Sequence, residues 1–124
     1  MQQPLNVVLL QSDRGVTESL LAPLCNSFRS VRAARSYRDL RADLAEHGAH
    51  VAILDLEMAS ISELSRLSHD FPGICIVCNH RLADEEMWTA TLNAGAADCC
   101  PSHDAGGIVR AALRHAPPGH SLAA

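Results

Sequence analysis

The stretch Val51-Ala-Ile-Leu-Asp55-Leu-Glu-Met58 decides how this chain is read. Four apolar residues run into a carboxylate, and two more bracket Glu57. Such a run reads as a strand buried on both faces, as in a parallel sheet covered by helices. An aspartate at the carboxyl end of that strand lies where open α/β sheets place their ligands and chemistry. Aspartate is also a favoured helix N-cap, and on this string alone capping is the better reading. The rest of the chain reverses that order.

Working outward, Leu5 to Gln11 is an apolar first strand. The helix after it places Val16, Leu20, Leu24 and Phe28 on one stripe, with Pro23 expected to bend it or reset its first turns. Ser30 to Ala34 reads as a weaker second strand at a sheet edge. Ser36-Tyr-Arg-Asp39 resembles a capping box and opens a helix carrying Leu40 and Leu44, which Gly48 closes. Beyond the central strand, Ser60-Ile-Ser-Glu63 is a second capping box, with Leu64 and Leu67 on the inner face of its helix.

Phe71-Pro-Gly73 is a stop signal, and Ile74 to Asn79 is the fourth strand. Asp84 caps the next helix, on which Trp88 and Leu92 are expected to face inward; Gly95 ends it. Ala97 to Cys100 is a short fifth strand that Pro101 stops. Ile108, Ala112 and Leu113 mark the last helix. Five strand–helix alternations with short connections imply an α/β fold, a doubly wound five-stranded parallel sheet of order 2-1-3-4-5 with five helices. Residues 1–115 form the expected domain, and 116–124, containing Pro117-Pro118-Gly119, a flexible tail.

A chain of 124 residues suffices for one core without disulfide or metal staples. Aromatics are only 3% of it, so the core must be aliphatic. A formal charge of −4 and scattered arginines give no electrostatic reason to expect nucleic-acid binding. The N-terminal apolar run is too short for a signal peptide or membrane span. Five cysteines, partly inside apolar strands, suit a reducing cytosol, so a cytoplasmic location is expected.

With this alternation in place, the chain resembles the receiver domains of two-component response regulators, a flavodoxin-like fold. Leu9-Leu-Gln-Ser-Asp13 stands where that family has a strand ending in two acids. Ile53-Leu-Asp-Leu-Glu-Met58 is close to its acceptor strand, and Ala94-Gly-Ala-Ala-Asp98 to the turn before its fifth strand. The resemblance covers about residues 5 to 115.

The resemblance implies that Asp55 is a phosphoacceptor. Asp13, Asp55 and the backbone carbonyl of Glu57 would hold Mg²⁺, with Ser12 contributing through water in place of the family's second acid. A carboxylate attacking a phosphoryl group faces like-charge repulsion, which a metal and a cation offset. The family's hydroxyl after the fourth strand falls on His80, or on Cys78 if two residues are inserted. Ser102 falls where the family has lysine, and the chain contains no lysine at all. His103 replaces the proline that follows, so the Ser102–His103 peptide should be trans, since a cis non-proline bond costs about 2.5–4 kcal/mol. Cys99 occupies the place of a switching aromatic. Losing the lysine removes a contact worth about 1.5–3 kcal/mol, and replacing one Mg²⁺ carboxylate with the Ser12 hydroxyl weakens the metal, so phosphotransfer and Mg²⁺ binding should both be impaired.

Other readings compete for the same residues. Asp13 and Ser12 could cap the first helix, His80 could be a polar loop residue, and Ser102 could cap the last helix near Asp104. Cys75-x-x-Cys78 with His80, Cys99, Cys100 and His103 invites zinc, but strand residues three apart point to opposite faces. Apolar buried cysteines are the better account. The resulting expectation is a non-enzymatic receiver domain of a phosphorelay, taking a phosphoryl group from a sensor histidine kinase onto Asp55. The rival is a pseudo-receiver that binds another signalling protein without phosphorylation. A homodimer is compatible with either.

Overall fold

The computed structural model describes residues 3–117, so all of the expected tail but Ala116 and Pro117 lies outside the described residues. Five strands alternate with five helices: β1 (Gln3–Leu10), α1 (Arg14–Ser27), β2 (Phe28–Ala33), α2 (Tyr37–Glu46), β3 (Val51–Asp55), α3 (Ile61–Asp70), β4 (Cys75–His80), α4 (Glu85–Asn93), β5 (Asp98–Pro101) and α5 (Ala105–His115). The sheet order is β2-β1-β3-β4-β5, as expected, with every pair parallel. All five residues of β3 are buried, the condition a strand meets only when both faces of its sheet are covered.

The pleat sorts the core into two layers. Val7, Leu9, Val51, Ile53, Cys75 and Val77 pack with Leu20 and Leu24 of α1 and Ile108 and Ala112 of α5. Their strand neighbours Val8, Leu10, Ala52, Leu54, Ile76 and Cys78 face Leu40 and Leu44 of α2 and Leu64 and Leu67 of α3. The cysteines divide accordingly, with Cys75 and Cys100 in one layer and Cys78 and Cys99 in the other. Burial pushes the Cys75 and Cys100 thiols up to about 11, and that of Cys78 further.

Helix starts follow local chemistry. Ser60 and Glu63 form the full reciprocal capping box. Ser36 accepts from the Asp39 N–H, but the Asp39 carboxylate reaches back to the Arg35 N–H, one residue earlier than a capping box requires. Asp84 caps α4 through the Met87 N–H, and Asp104 caps α5 through the Gly107 N–H. Gly95 takes φ +113°, and an added Cβ would run into the Ser68 side chain, so this turn requires glycine.

Four local expectations need correction. Phe28 opens β2 and is fully buried there, because α1 already ends at Ser27. Trp88 is 45% exposed and donates its indole N–H to Asp98; Thr91 is the buried residue of α4, and Leu92 is half-buried. On α5, Leu113 is 39% exposed while Val109 and Ala111 turn inward. Pro101 pairs with His80 as the last residue of β5 instead of stopping the strand before it. No peptide bond among the described residues is cis.

Candidate functional site

The same pleat determines which side chains meet at the carboxyl edge of the sheet. Gln11, Asp55, Asn79 and Ser102 continue the parity of Leu9, Ile53, Val77 and Cys100, so all four emerge on the α1/α5 side. Asp55, Asn79 and Ser102 are buried, at 2%, 0% and 7% exposure.

Asp55 is held by three donors. One carboxylate oxygen, Oδ2, accepts from the Ser12 N–H at 2.8 Å and from the Ser12 hydroxyl at 2.6 Å. The other, Oδ1, accepts from the Glu57 N–H at 2.9 Å. Asp55 therefore ties the loop after β1 to the turn after β3. It caps no helix: Ser60 opens α3. Asp13 does cap one, accepting from the Gly15 N–H at 2.7 Å at the start of α1. It also lines the cleft above Asp55.

Beside this carboxylate runs a neutral network. Gln11 and Asn79 exchange two amide hydrogen bonds, at 2.8 and 2.9 Å, and Asn79 donates again to the Ser102 hydroxyl at 2.8 Å. Where the resemblance puts a lysine, Ser102 is instead bound into the sheet edge. It caps nothing, since Asp104 takes that role. Gln11 and Asn79 were not among the expected site residues. Their signal was present as two amides that keep the inward parity of apolar strands.

His80 has the opposite parity. It is half-buried, and its Nδ1 accepts from the Leu82 N–H at 3.0 Å, the arrangement of a polar turn residue. Cys78 and Cys99 pair across β4 and β5 in the α2/α3 layer. Neither His80 nor Cys78 lines the cleft at Asp55.

That cleft has a volume of about 440 Å³ and is lined by Ser12, Asp13, Arg14, Val16, Asp55, Glu57, Arg81 and Ser102. Two of these, Arg14 and Arg81, are cations outside the position where the resemblance places a lysine. Arg81 follows β4 and grips Glu57 with both ends of its fork: Nε lies 3.0 Å from Oε2 and Nη2 lies 3.0 Å from Oε1.

The Mg²⁺ ligand set implied by the resemblance fits only in part. Asp13, Asp55 and Glu57 share the cleft, but the cap takes one Asp13 oxygen and the three donors above take both Asp55 oxygens. Ser12 offers a neutral hydroxyl, its proton donated to Asp55, where a hard dication favours a third anionic oxygen. Among the described residues, no three His, Cys, Asp or Glu side chains are grouped so as to hold a metal ion. No helix among them is long and apolar enough to cross a membrane.

No family profile and no curated protein matches the chain. Solved structures do. The RcsB response regulator of Salmonella typhimurium superposes with a TM-score of 0.78 at 19% identity, over 91% of this chain and 59% of that one. A response regulator from Thermotoga maritima gives 0.79 at 15% identity, over 90% and 96%. The Borrelia burgdorferi CheX–CheY complex with BeF₃ and Mg²⁺ gives 0.77 at 16% identity, over 90% and 88%. This chain thus spans less than two thirds of the RcsB chain and nearly all of the Thermotoga one. Its fold is the response-regulator receiver fold, and its structural neighbours are receiver domains of two-component systems.

Proposed function

We propose that this chain is the receiver domain of a two-component phosphorelay, taking a phosphoryl group from a sensor histidine kinase onto Asp55 by impaired chemistry. One observation carries the reading: Asp55 ends the central strand in a cleft shared with Asp13, Glu57 and two arginines. An Asp55 oxygen would form the new P–O bond as the donor's P–N bond breaks. Attack through Oδ2 would require the Ser12 hydroxyl to let go, since a lone pair engaged at 2.6 Å is not free to attack, whereas Oδ1 accepts only from the Glu57 N–H. The chain's own contribution is positional, a fixed carboxylate with cations at the rim.

A second reading has its own support. The three donors on Asp55 make it a tie between two loops, as suits a pseudo-receiver that binds a signalling partner without phosphorylation. Incubation with phosphoramidate and Mg²⁺, followed by intact-mass measurement, separates the two. A species heavier by one phosphoryl group, absent in Asp55→Asn, supports the receiver. No adduct at any donor concentration leaves the interaction module.

A further inference from the structure

A chain without lysine still has to neutralise charge at a carboxylate that accepts a phosphoryl group. We propose that Arg81 supplies that cation, and that its fork with Glu57 is a latch storing it until the phosphoryl group arrives. The inference rests on the phosphoacceptor reading of Asp55.

Three observations lead to it. Arg81 lines the same cleft as Asp55, where Ser102 holds the lysine position with a neutral hydroxyl bound to Asn79. Guanidinium is built for this role, because its planar fork matches carboxylate and phosphoryl oxygens alike. The latch is also easy to open. The Arg81 side chain is 75% exposed, so water screens the pair and solvates the guanidinium when it lets go. An acyl phosphate at Asp55 carries up to two formal charges, one more than the carboxylate it replaces and one more than Glu57, and so competes well for the fork.

Arg14 is the other cation on the cleft, and none of the ion pairs among the described residues involves it. Arg81 is favoured because its charge is already oriented within the cleft by a residue two positions from Asp55. The chemical step is unchanged by the proposal. With phosphoramidate as donor, an Asp55 oxygen forms the P–O bond, the P–N bond breaks, and nitrogen leaves as ammonia with a solvent proton. Arg81 offsets the oxygen charge that accumulates.

The test is a double-mutant cycle on the full chain with phosphoramidate, reading adduct formation and lifetime by intact mass. Arg81→Ala should slow formation or shorten lifetime about tenfold or more, with Arg81→Lys recovering part of the loss. Glu57→Gln should accelerate formation by freeing the fork. That gain should vanish in the double variant with Arg81→Ala, since Glu57 would act by holding Arg81. A gain that persists without Arg81 would mean Glu57 acts only by its own charge, and overturns the latch. A wild-type adduct indifferent to Arg81→Ala but lost in Arg14→Ala assigns the cation elsewhere and leaves the acceptor reading standing. No adduct in the wild type or in Glu57→Gln removes both.

Discussion

Ser12 donates both its backbone N–H and its hydroxyl to a single oxygen of Asp55, at 2.8 and 2.6 Å. The residue standing where the resemblance places a metal-binding acid thus restrains the Asp55 carboxylate directly. Ser12→Asp should reverse the relationship by setting a second carboxylate against a buried one, destabilising the metal-free protein by about 1–3 kcal/mol. Mg²⁺ should then raise the melting temperature of the variant well beyond any effect on the wild type, because binding to the folded state alone adds stability. Equal shifts in the two proteins would show that Ser12 does not stand at a metal position.

The Gln11–Asn79 pair should behave as one unit. Asn79→Val leaves the Gln11 amide and the Ser102 hydroxyl without a partner, at a cost of about 1–3 kcal/mol in urea unfolding. Replacing both members, Gln11→Leu with Asn79→Val, should recover much of that loss, since an apolar pair leaves little unsatisfied. Additive losses would show that the two amides act independently.

Thiol labelling should divide the cysteines by burial. Cys25 is exposed and the other four are buried, so a maleimide near neutral pH should modify one thiol in the native protein and five after unfolding. Because burial holds Cys75 and Cys100 at about 11 against an ordinary 9.0, the folded state keeps protons that the unfolded chain loses first. Their contribution is complete below pH 9 and declines as pH rises towards 11, visible as a falling urea midpoint. A midpoint that rises over that interval would contradict the assignment.

The usual hydroxyl-and-aromatic switch should be silent. His80 is turned towards Leu82, and Cys99 is a small buried thiol where a ring would move. A ligand shifts an equilibrium only through differential interaction with two states, and these residues offer none. Beryllofluoride should therefore leave the amide shifts of Asp84 to Leu113 nearly unchanged. Concerted changes there, absent in Asp55→Asn, would reveal a working switch.

Much of this was legible because the fold depends on periodicity. The β3 run, the Ser60–Glu63 box and the Gly95 turn are local signals, and each took the form its residues demand. The central aspartate could be placed at the sheet edge from the apolar strand before it. What escaped was lateral. Position counting sets His80 beside Ser102 in role, whereas strand parity sends them to opposite faces and brings Asn79 to Ser102 instead. Trp88 was misplaced for a similar reason: its indole N–H finds Asp98 across the end of α4, which no helical stripe foretells. Arg81 is illegible in the sequence because its place depends on Glu57, twenty-four residues away along the chain and 3.0 Å away in space.

The most direct measurement is the chemistry of the bond formed at Asp55. Radiolabelled phosphoramidate should deposit label slowly on the wild type, and neutral hydroxylamine should release it, as for any acyl phosphate. Asp55→Asn should take up none, and Ser12→Asp with Mg²⁺ should take it up faster than the wild type. Label that resists hydroxylamine or persists in Asp55→Asn would contradict the account. So would its absence from both the wild type and Ser12→Asp.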